Sequence, residues 1–76
     1  MDNEKERIKN VMSLVFELPI KDISKNSSHE TIETWDSLKH MNLVIALEEE
    51  FKIEFSDDEI LEMMDYSSIE TIIINK

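Results

Sequence analysis

The chain is organised around residues 36–51, Asp36-Ser37-Leu38-Lys39-His40-Met41-Asn42-Leu43-Val44-Ile45-Ala46-Leu47-Glu48-Glu49-Glu50-Phe51. At about 100° per residue, the apolar side chains of this stretch cover one broad arc of a helix. The polar side chains opposite that arc are Lys39, Asn42, Glu49 and Glu50. Because the arc is wider than contact with one core requires, part of it is expected to face a partner or a ligand.

The start of this predicted helix has features of an anion site. Asp36 is a good N-cap, since its carboxylate can accept a hydrogen bond from a backbone N–H group of the first turn. Ser37 then occupies the first helical position. Free N–H groups and the positive end of the helix dipole favour an attached phosphate there.

The motif Asp36-Ser37-Leu38, followed by the apolar and acidic residues 43–51, resembles the second helix of acyl carrier proteins. In that family, the serine of Asp-Ser-Leu carries a 4′-phosphopantetheine whose terminal thiol holds acyl groups as thioesters. The resemblance therefore implies that Ser37 is the attachment site, flanked by Asp36 and Leu38. It also implies that Asp36 helps to bind the metal in the phosphopantetheinyl transferase. The likeness extends over nearly all 76 residues in element order.

The resemblance also implies a docking surface on the same helix. Residues that match Met41 and Ile45 line the edge where partner enzymes dock and the acyl arm emerges. Glu48 and Glu49 are expected to be exposed there and to attract basic partners. Leu43, Leu47 and Phe51 are expected to point into the core.

Three residues depart from the pattern of the carriers of general fatty acid synthesis. Trp35 stands where those carriers have a small Gly-Ala pair, and Lys39 and Asn42 replace residues that are usually acidic. The departures favour a dedicated carrier for another acyl or aminoacyl group over service to the housekeeping fatty acid synthase. Both pathways remain open from the sequence.

Length and composition predict one small domain over residues 1–76. The net charge is −10, of which residues 36–76 contribute −8 from eleven acids and three bases. Such a charge disfavours nucleic acid, which requires a basic footprint, and favours partners with basic surfaces. The chain has no cysteine. It also lacks a signal-peptide pattern and a membrane-spanning run, so we expect a soluble, cytoplasmic monomer with no membrane partner.

The remaining pattern predicts an all-α bundle of three longer helices and one short helix, with a long first loop. The first helix is expected over residues 3–18, ending near residue 17 before Pro19. Four apolar residues are expected to pin the following connection, residues 19–35, to the helices: Ile20, Ile23, Ile32 and Trp35.

Two capping boxes predict the last two helices. Ser56 and Glu59 would open a short helix through about Met64, with Ile60, Leu61, Met63 and Met64 on its apolar side. Ser67 and Glu70 would open the final helix, with Ile69, Ile72 and Ile73 at core spacing. The β-branched residues 72–74 equally suit a strand, but a lone strand has nothing to pair with, which favours a helix. Because the chain has no glycine, helix ends need Asn, Lys or loop residues in left-handed turns.

No residue pattern predicts catalysis or a metal site. A serine nucleophile needs a base and a third orienting group, and neither histidine suggests such a set. His29 is expected to be solvated and His40 to contact solvent or a partner. The acidic residues 57–62 lack the spacing and central glycine of a calcium loop. The sequence thus predicts a carrier without enzymatic activity, and the rival hypothesis is an unmodified acidic adaptor.

Overall fold

A computed structural model describes residues 3–24, 26–28 and 30–76. Within these ranges the chain forms four α-helices: α1 Asn3–Phe16, α2 Ser37–Phe51, α3 Asp57–Glu62 and α4 Tyr66–Ile74. A short 3₁₀ helix, Ile20–Asp22, lies in the long connection between α1 and α2. The predicted all-α architecture of three longer helices and one short one is confirmed. The prediction for His29 lies outside the described residues.

The core is formed mainly by the facing sides of α1 and α2, closed by α4. Ile8 and Met12 of α1 and Leu43 and Leu47 of α2 are fully buried, and so is Ile69 of α4. The predicted inward orientation of Leu43 and Leu47 is confirmed, while Phe51 is only partly buried. This apolar contact holds α2, and therefore its N-terminus, in place.

The connection between α1 and α2 is anchored by three of the four predicted residues. Ile23, Ile32 and Trp35 are buried, and the ring of Trp35 lies 4.8 Å from that of Phe16 between centroids. The prediction for Ile20 is wrong, because this residue starts the 3₁₀ helix and its side chain is about half exposed. These buried contacts fix the path of the chain up to the start of α2.

Helix α1 ends at Phe16, close to the predicted end near residue 17. Glu17 adopts a left-handed conformation with φ of 57°. Lys52 does the same at the C-terminus of α2, with φ of 55°. These residues perform the turn that glycine performs in most proteins, as the absence of glycine predicts.

The first capping box is confirmed and the second is wrong. The Ser56 hydroxyl accepts from the Glu59 N–H, and the Glu59 carboxylate accepts from the Ser56 N–H. Helix α4 begins at Tyr66, where the Asp65 carboxylate accepts from the Ser68 N–H over 2.7 Å. The side chain of Tyr66 is buried, and its N–H donates to the Ser27 carbonyl. Because these contacts fix Tyr66, α4 begins there and not after an N-cap at Ser67.

Candidate functional site

Ser37 lies at the first position of α2 with its side chain in solvent. Asp36 is the N-cap, and its Oδ1 accepts from the Lys39 N–H over 2.8 Å. Both predicted features of the helix start are confirmed. The N–H groups of Ser37 and Leu38 have no acceptor inside the helix, because the first turn of an α-helix lacks preceding carbonyls. A phosphate on the Ser37 hydroxyl would therefore lie beside free donors and the positive end of the dipole.

A cavity of about 410 Å³ opens directly beside Ser37. Its walls combine the polar start of α2 with apolar side chains from the loop and from the α3 end of the chain: Trp35, Asp36, Ser37, His40, Leu61 and Met64. The volume lies at the lower end of the range of small-molecule pockets. An organic group attached to Ser37 thus has an apolar surface within reach.

His40 forms a bridge across this site, which corrects the prediction of a solvent or partner contact. Its Nδ1 accepts a hydrogen bond from the Trp35 indole N–H over 3.0 Å. Its Nε2 lies 2.8 Å from the carbonyl oxygen of Ile60. An indole N–H can only donate and a carbonyl oxygen can only accept, so the ring carries its proton on Nε2. His40 therefore ties α2 to the loop on one side and to α3 on the other.

The bridge also bears on catalysis. Because both ring nitrogens of His40 are engaged, the ring offers no lone pair to the Ser37 hydroxyl in this arrangement. Among the residues that the structure describes, no group of three or more His, Cys, Asp or Glu side chains could hold a metal ion. Ser37 thus presents an exposed hydroxyl beside a cavity with apolar walls.

Apolar side chains continue from Ser37 along the exposed side of α2. Leu38, Met41 and Ile45 are 72%, 46% and 51% exposed, and their spacing places them on one helix face. We call these three residues the apolar strip. On α3, Leu61, which was predicted on the apolar side of the short helix, is also exposed. An exposed apolar surface of this kind is typical of a protein interaction site.

The two glutamates predicted for docking differ in their environments. Glu49 is exposed, as expected. Glu48 is partly buried, and its Oε2 accepts from the Phe55 N–H over 3.0 Å, so the expectation of an exposed Glu48 is wrong. At 100° per residue, the two side chains lie on opposite sides of the apolar strip. Of these two glutamates, Glu49 is the one whose exposed carboxylate is available to an approaching partner.

Lys39, one of the departures from the fatty acid carriers, is turned away from the apolar strip. Its Nζ lies 3.5 Å from the Glu17 carboxylate at the end of α1. Exposed ion pairs of this kind contribute little to stability, but they neutralise charge locally. The lysine therefore adds less positive charge near Ser37 than its sequence position indicates.

Sequence reasoning missed the roles of His40, Leu61 and Met64 at the site. For Leu61 and Met64, the available signal was their predicted place on the apolar side of the short helix. For His40 the partners come from the preceding loop and from a backbone carbonyl twenty residues away. No local sequence pattern predicts a contact with a backbone carbonyl so far along the chain.

Comparison with known proteins finds a family and a relative that this chain resembles. Residues 6–73 match the family described as "Phosphopantetheine attachment site". The chain is also similar to "Acyl carrier protein" of Buchnera aphidicola subsp. Schizaphis graminum (strain Sg). The two are 36% identical over 59 residues, which cover 78% of this chain and 75% of that protein. In the described part of the chain, none of the helices has the length and apolarity that a membrane crossing requires.

Proposed function

Because the chain belongs to the acyl carrier protein family and contains its phosphopantetheine attachment domain, we propose that Ser37 bears the 4′-phosphopantetheine. One observation carries this assignment: an exposed hydroxyl at the first position of α2, next to an apolar cavity. Residues 1–76 form a single carrier domain in this proposal. The free thiol of the group, once attached, holds acyl groups as thioesters.

The residues around Ser37 fit such a group. The N–H groups at the start of α2 stabilise the phosphate, and Asp36 keeps them aligned by capping the helix. Trp35, Leu61 and Met64 offer apolar contact to the organic part. The protein itself performs no catalysis, and the chemistry of the acyl group takes place in partner enzymes. The pathway is that of fatty acids or of a specialised acyl or aminoacyl group.

The attachment is tested by mass spectrometry after incubation with a phosphopantetheinyl transferase and coenzyme A. The Ser37 oxygen displaces the nucleotide half of coenzyme A to form a phosphodiester, and its proton leaves to the transferase. We expect the wild type to gain one phosphopantetheinyl group and Ser37→Ala to gain none. Ser56→Asp is the matched control, because it removes another exposed helix-start serine and supplies a carboxylate oxygen that can still cap α3.

Two results would contradict the assignment. A mass gain that persists in Ser37→Ala would place the attachment elsewhere. No gain in the folded wild type would favour an unmodified acidic adaptor, which binds partners without an arm.

We further propose that the apolar strip and Glu49 form the docking surface for the transferase and for acyl-loading and acyl-processing enzymes. Met41 and Ile45 lie about half exposed, so each has apolar area left to bury against a partner. Glu49, together with the excess of acids in residues 36–76, attracts basic surfaces and accelerates encounter. Glu48 borders the same surface but also holds the Phe55 N–H.

Binding kinetics against the transferase test this surface. We expect Ile45→Ala to speed dissociation about tenfold, since it removes roughly 1.5 kcal/mol of burial. Leu14→Ala is the matched control, because Leu14 is 80% exposed on α1. We expect Glu49→Lys to slow association at low salt, with Glu4→Lys at the start of α1 as its control. Equal effects of each variant and its control would exclude this surface as the docking site.

A further inference from the structure

The one tryptophan of the chain, Trp35, lies two residues before Ser37 and fixes the loop at that point. Its side chain is buried, and its ring packs against that of Phe16, a fully buried residue of α1. Its indole N–H donates over 3.0 Å to Nδ1 of His40, in the first turn of α2. Trp35 therefore connects the hydrophobic core to the turn that carries Ser37.

The first turn of α2 is closed by two hydrogen bonds that both end on Asp36. The Asp36 carbonyl accepts from the His40 N–H over 2.8 Å, and the Asp36 carboxylate accepts from the Lys39 N–H. Helix ends fray, because their outer groups have few partners within the helix. The bond from Trp35 to His40 closes the same turn a third time, from the residue before the cap. Unlike the other two bonds, it also joins the turn to the core.

The reaction at Ser37 depends on the position of this turn. The serine oxygen forms a bond to a phosphorus of coenzyme A, and its proton passes to a base of the transferase. The bond from that phosphorus to the bridging oxygen of the diphosphate breaks, and its electron pair leaves with adenosine 3′,5′-bisphosphate. Attack requires an oxygen held in line and close to the phosphorus, and a displacement of about 1 Å can slow such a step about 100-fold.

We propose that His40 is a positioning residue for this transfer and acts through its bond to Trp35. This inference rests on the function proposed above. Because the bond holds the turn around Ser37 to the core, it keeps the serine oxygen in the orientation that the transferase requires. Trp35, which departs from the small residues of the carriers of general fatty acid synthesis, supplies a side-chain donor that such small residues lack.

Two amide substitutions separate the two bonds of the His40 bridge. An asparagine oxygen occupies the place of Nδ1, so His40→Asn can still accept from Trp35 but is too short to reach the Ile60 carbonyl. The amide nitrogen of a glutamine occupies the place of Nε2. His40→Gln can therefore still donate to Ile60, but it leaves the Trp35 N–H without its acceptor. Both amides are neutral, so the electrostatic attraction of the transferase is the same in both variants.

The experiment follows a single turnover of each variant by mass spectrometry, with saturating coenzyme A and rising concentrations of a phosphopantetheinyl transferase in excess. It yields the rate constant at saturation and the half-saturating concentration. We expect His40→Gln to lower the rate constant about tenfold, because the serine oxygen is displaced. The half-saturating concentration should stay within about twofold, because the docking surface is intact. We expect His40→Asn to stay within about twofold of the wild type in both quantities.

Trp35→Phe removes the same bond from the other side, and a phenyl ring can still pack against Phe16. We expect a rate constant about as low as that of His40→Gln. The two substitutions together should lower it no further, because the same bond cannot be lost twice. Hydrogen exchange at the amides of residues 39 and 40 should be faster in each variant that lacks the bond. Should circular dichroism report that Trp35→Phe is unfolded, the asparagine and glutamine variants decide by themselves.

Arg7→Lys is the matched control, because it weakens a contact at the opposite end of α2 and keeps the charge. The Arg7 guanidinium donates to the Glu50 carboxylate over 2.7 Å and also to the Glu50 carbonyl. Lysine cannot reproduce this two-point contact. We expect the rate constant of the wild type in this variant. A fall equal to that of His40→Gln would assign the effect to general loosening of α2 and would overturn the proposal.

The remaining outcomes are distinguishable. No mass gain in the wild type would overturn the proposed function and this inference together. A normal mass gain with an unchanged rate constant in His40→Gln would overturn only the role of His40. A slow His40→Gln beside a fast, folded Trp35→Phe would mean that residue 40 acts without Trp35, and the proposal would fail. It would fail equally if His40→Asn were as slow as His40→Gln, because the asparagine retains the acceptor for Trp35.

Discussion

Helices α1 and α2 are joined by buried apolar side chains, whereas α3 is held largely by polar contacts, although both α2 and α3 border Ser37. Ile8 and Met12 of α1 pack in the same core as Leu43 and Leu47 of α2. In α3 the capping box, the Glu59–Lys76 pair and the His40 bridge take over that role.

The difference matters because the two kinds of contact differ in strength. A fully buried aliphatic side chain contributes about 1.5–3 kcal/mol, whereas a hydrogen bond contributes roughly 0.5–1.5 kcal/mol net. Ser37 therefore lies on a rigid helix, and the wall beside it lies on the weaker part of the fold.

The largest expected effect is on the α1–α2 core. Leu47→Ala should lower the free energy of unfolding by about 2–5 kcal/mol, because it leaves a cavity among fully buried side chains. Leu61→Ala makes the same chemical change at a position that is 74% exposed, and should cost less than about 0.5 kcal/mol. Urea unfolding measures both. Similar losses of unfolding free energy in the two variants would mean that α3 is packed as firmly as α2.

A smaller effect is expected at the start of α3. Ser56→Ala should cost about 1 kcal/mol, because the Glu59 N–H loses its acceptor. Hydrogen exchange should report the loss mainly in α3, at amides such as that of Ile60, while α1 stays protected. Ser56→Asp, which keeps a capping oxygen, should exchange like the wild type. An equal fall of protection in α1 and α3 would show that α3 does not open independently.

The smallest effect concerns the pH dependence of the same cap. The Lys76 ammonium and the Ser56 N–H, in that order, lower the pKa of Glu59 below its ordinary value. A carboxylate with a depressed pKa stabilises the folded state above its unfolded pKa, and this stabilisation disappears as the pH falls through the folded value. The stabilisation by the Glu59 carboxylate is therefore lost at pH values below about 4.3.

Lys76→Met tests this pair with little change in side-chain length. We expect the pKa of Glu59, measured by NMR titration of its carboxyl group, to rise towards the ordinary value in the variant. An unchanged pKa of Glu59 in Lys76→Met would mean that Lys76 does not bond to this carboxylate in solution.

Much of the helical framework could be predicted from the sequence, since it depends on contacts between residues close in the chain. Asp36 caps α2 through the N–H three residues later, and Ser56 and Glu59 form their box over the same distance. The apolar spacing of α2 likewise predicted that Leu43 and Leu47 are buried. The motif Asp36-Ser37-Leu38 was visible for the same reason, because it is a local pattern.

The sequence by itself determined where α2 begins, which of its faces is apolar and where a phosphate would be stabilised. Only the tertiary structure decided that Asp65 caps α4, because the competing Ser67 cap was excluded by the burial of Tyr66 and its bond to Ser27. It also decided that Glu48 serves the Phe55 backbone and that His40 joins Trp35 to Ile60. The physical reason is that these choices depend on partners from other elements, which meet only after the helices have packed.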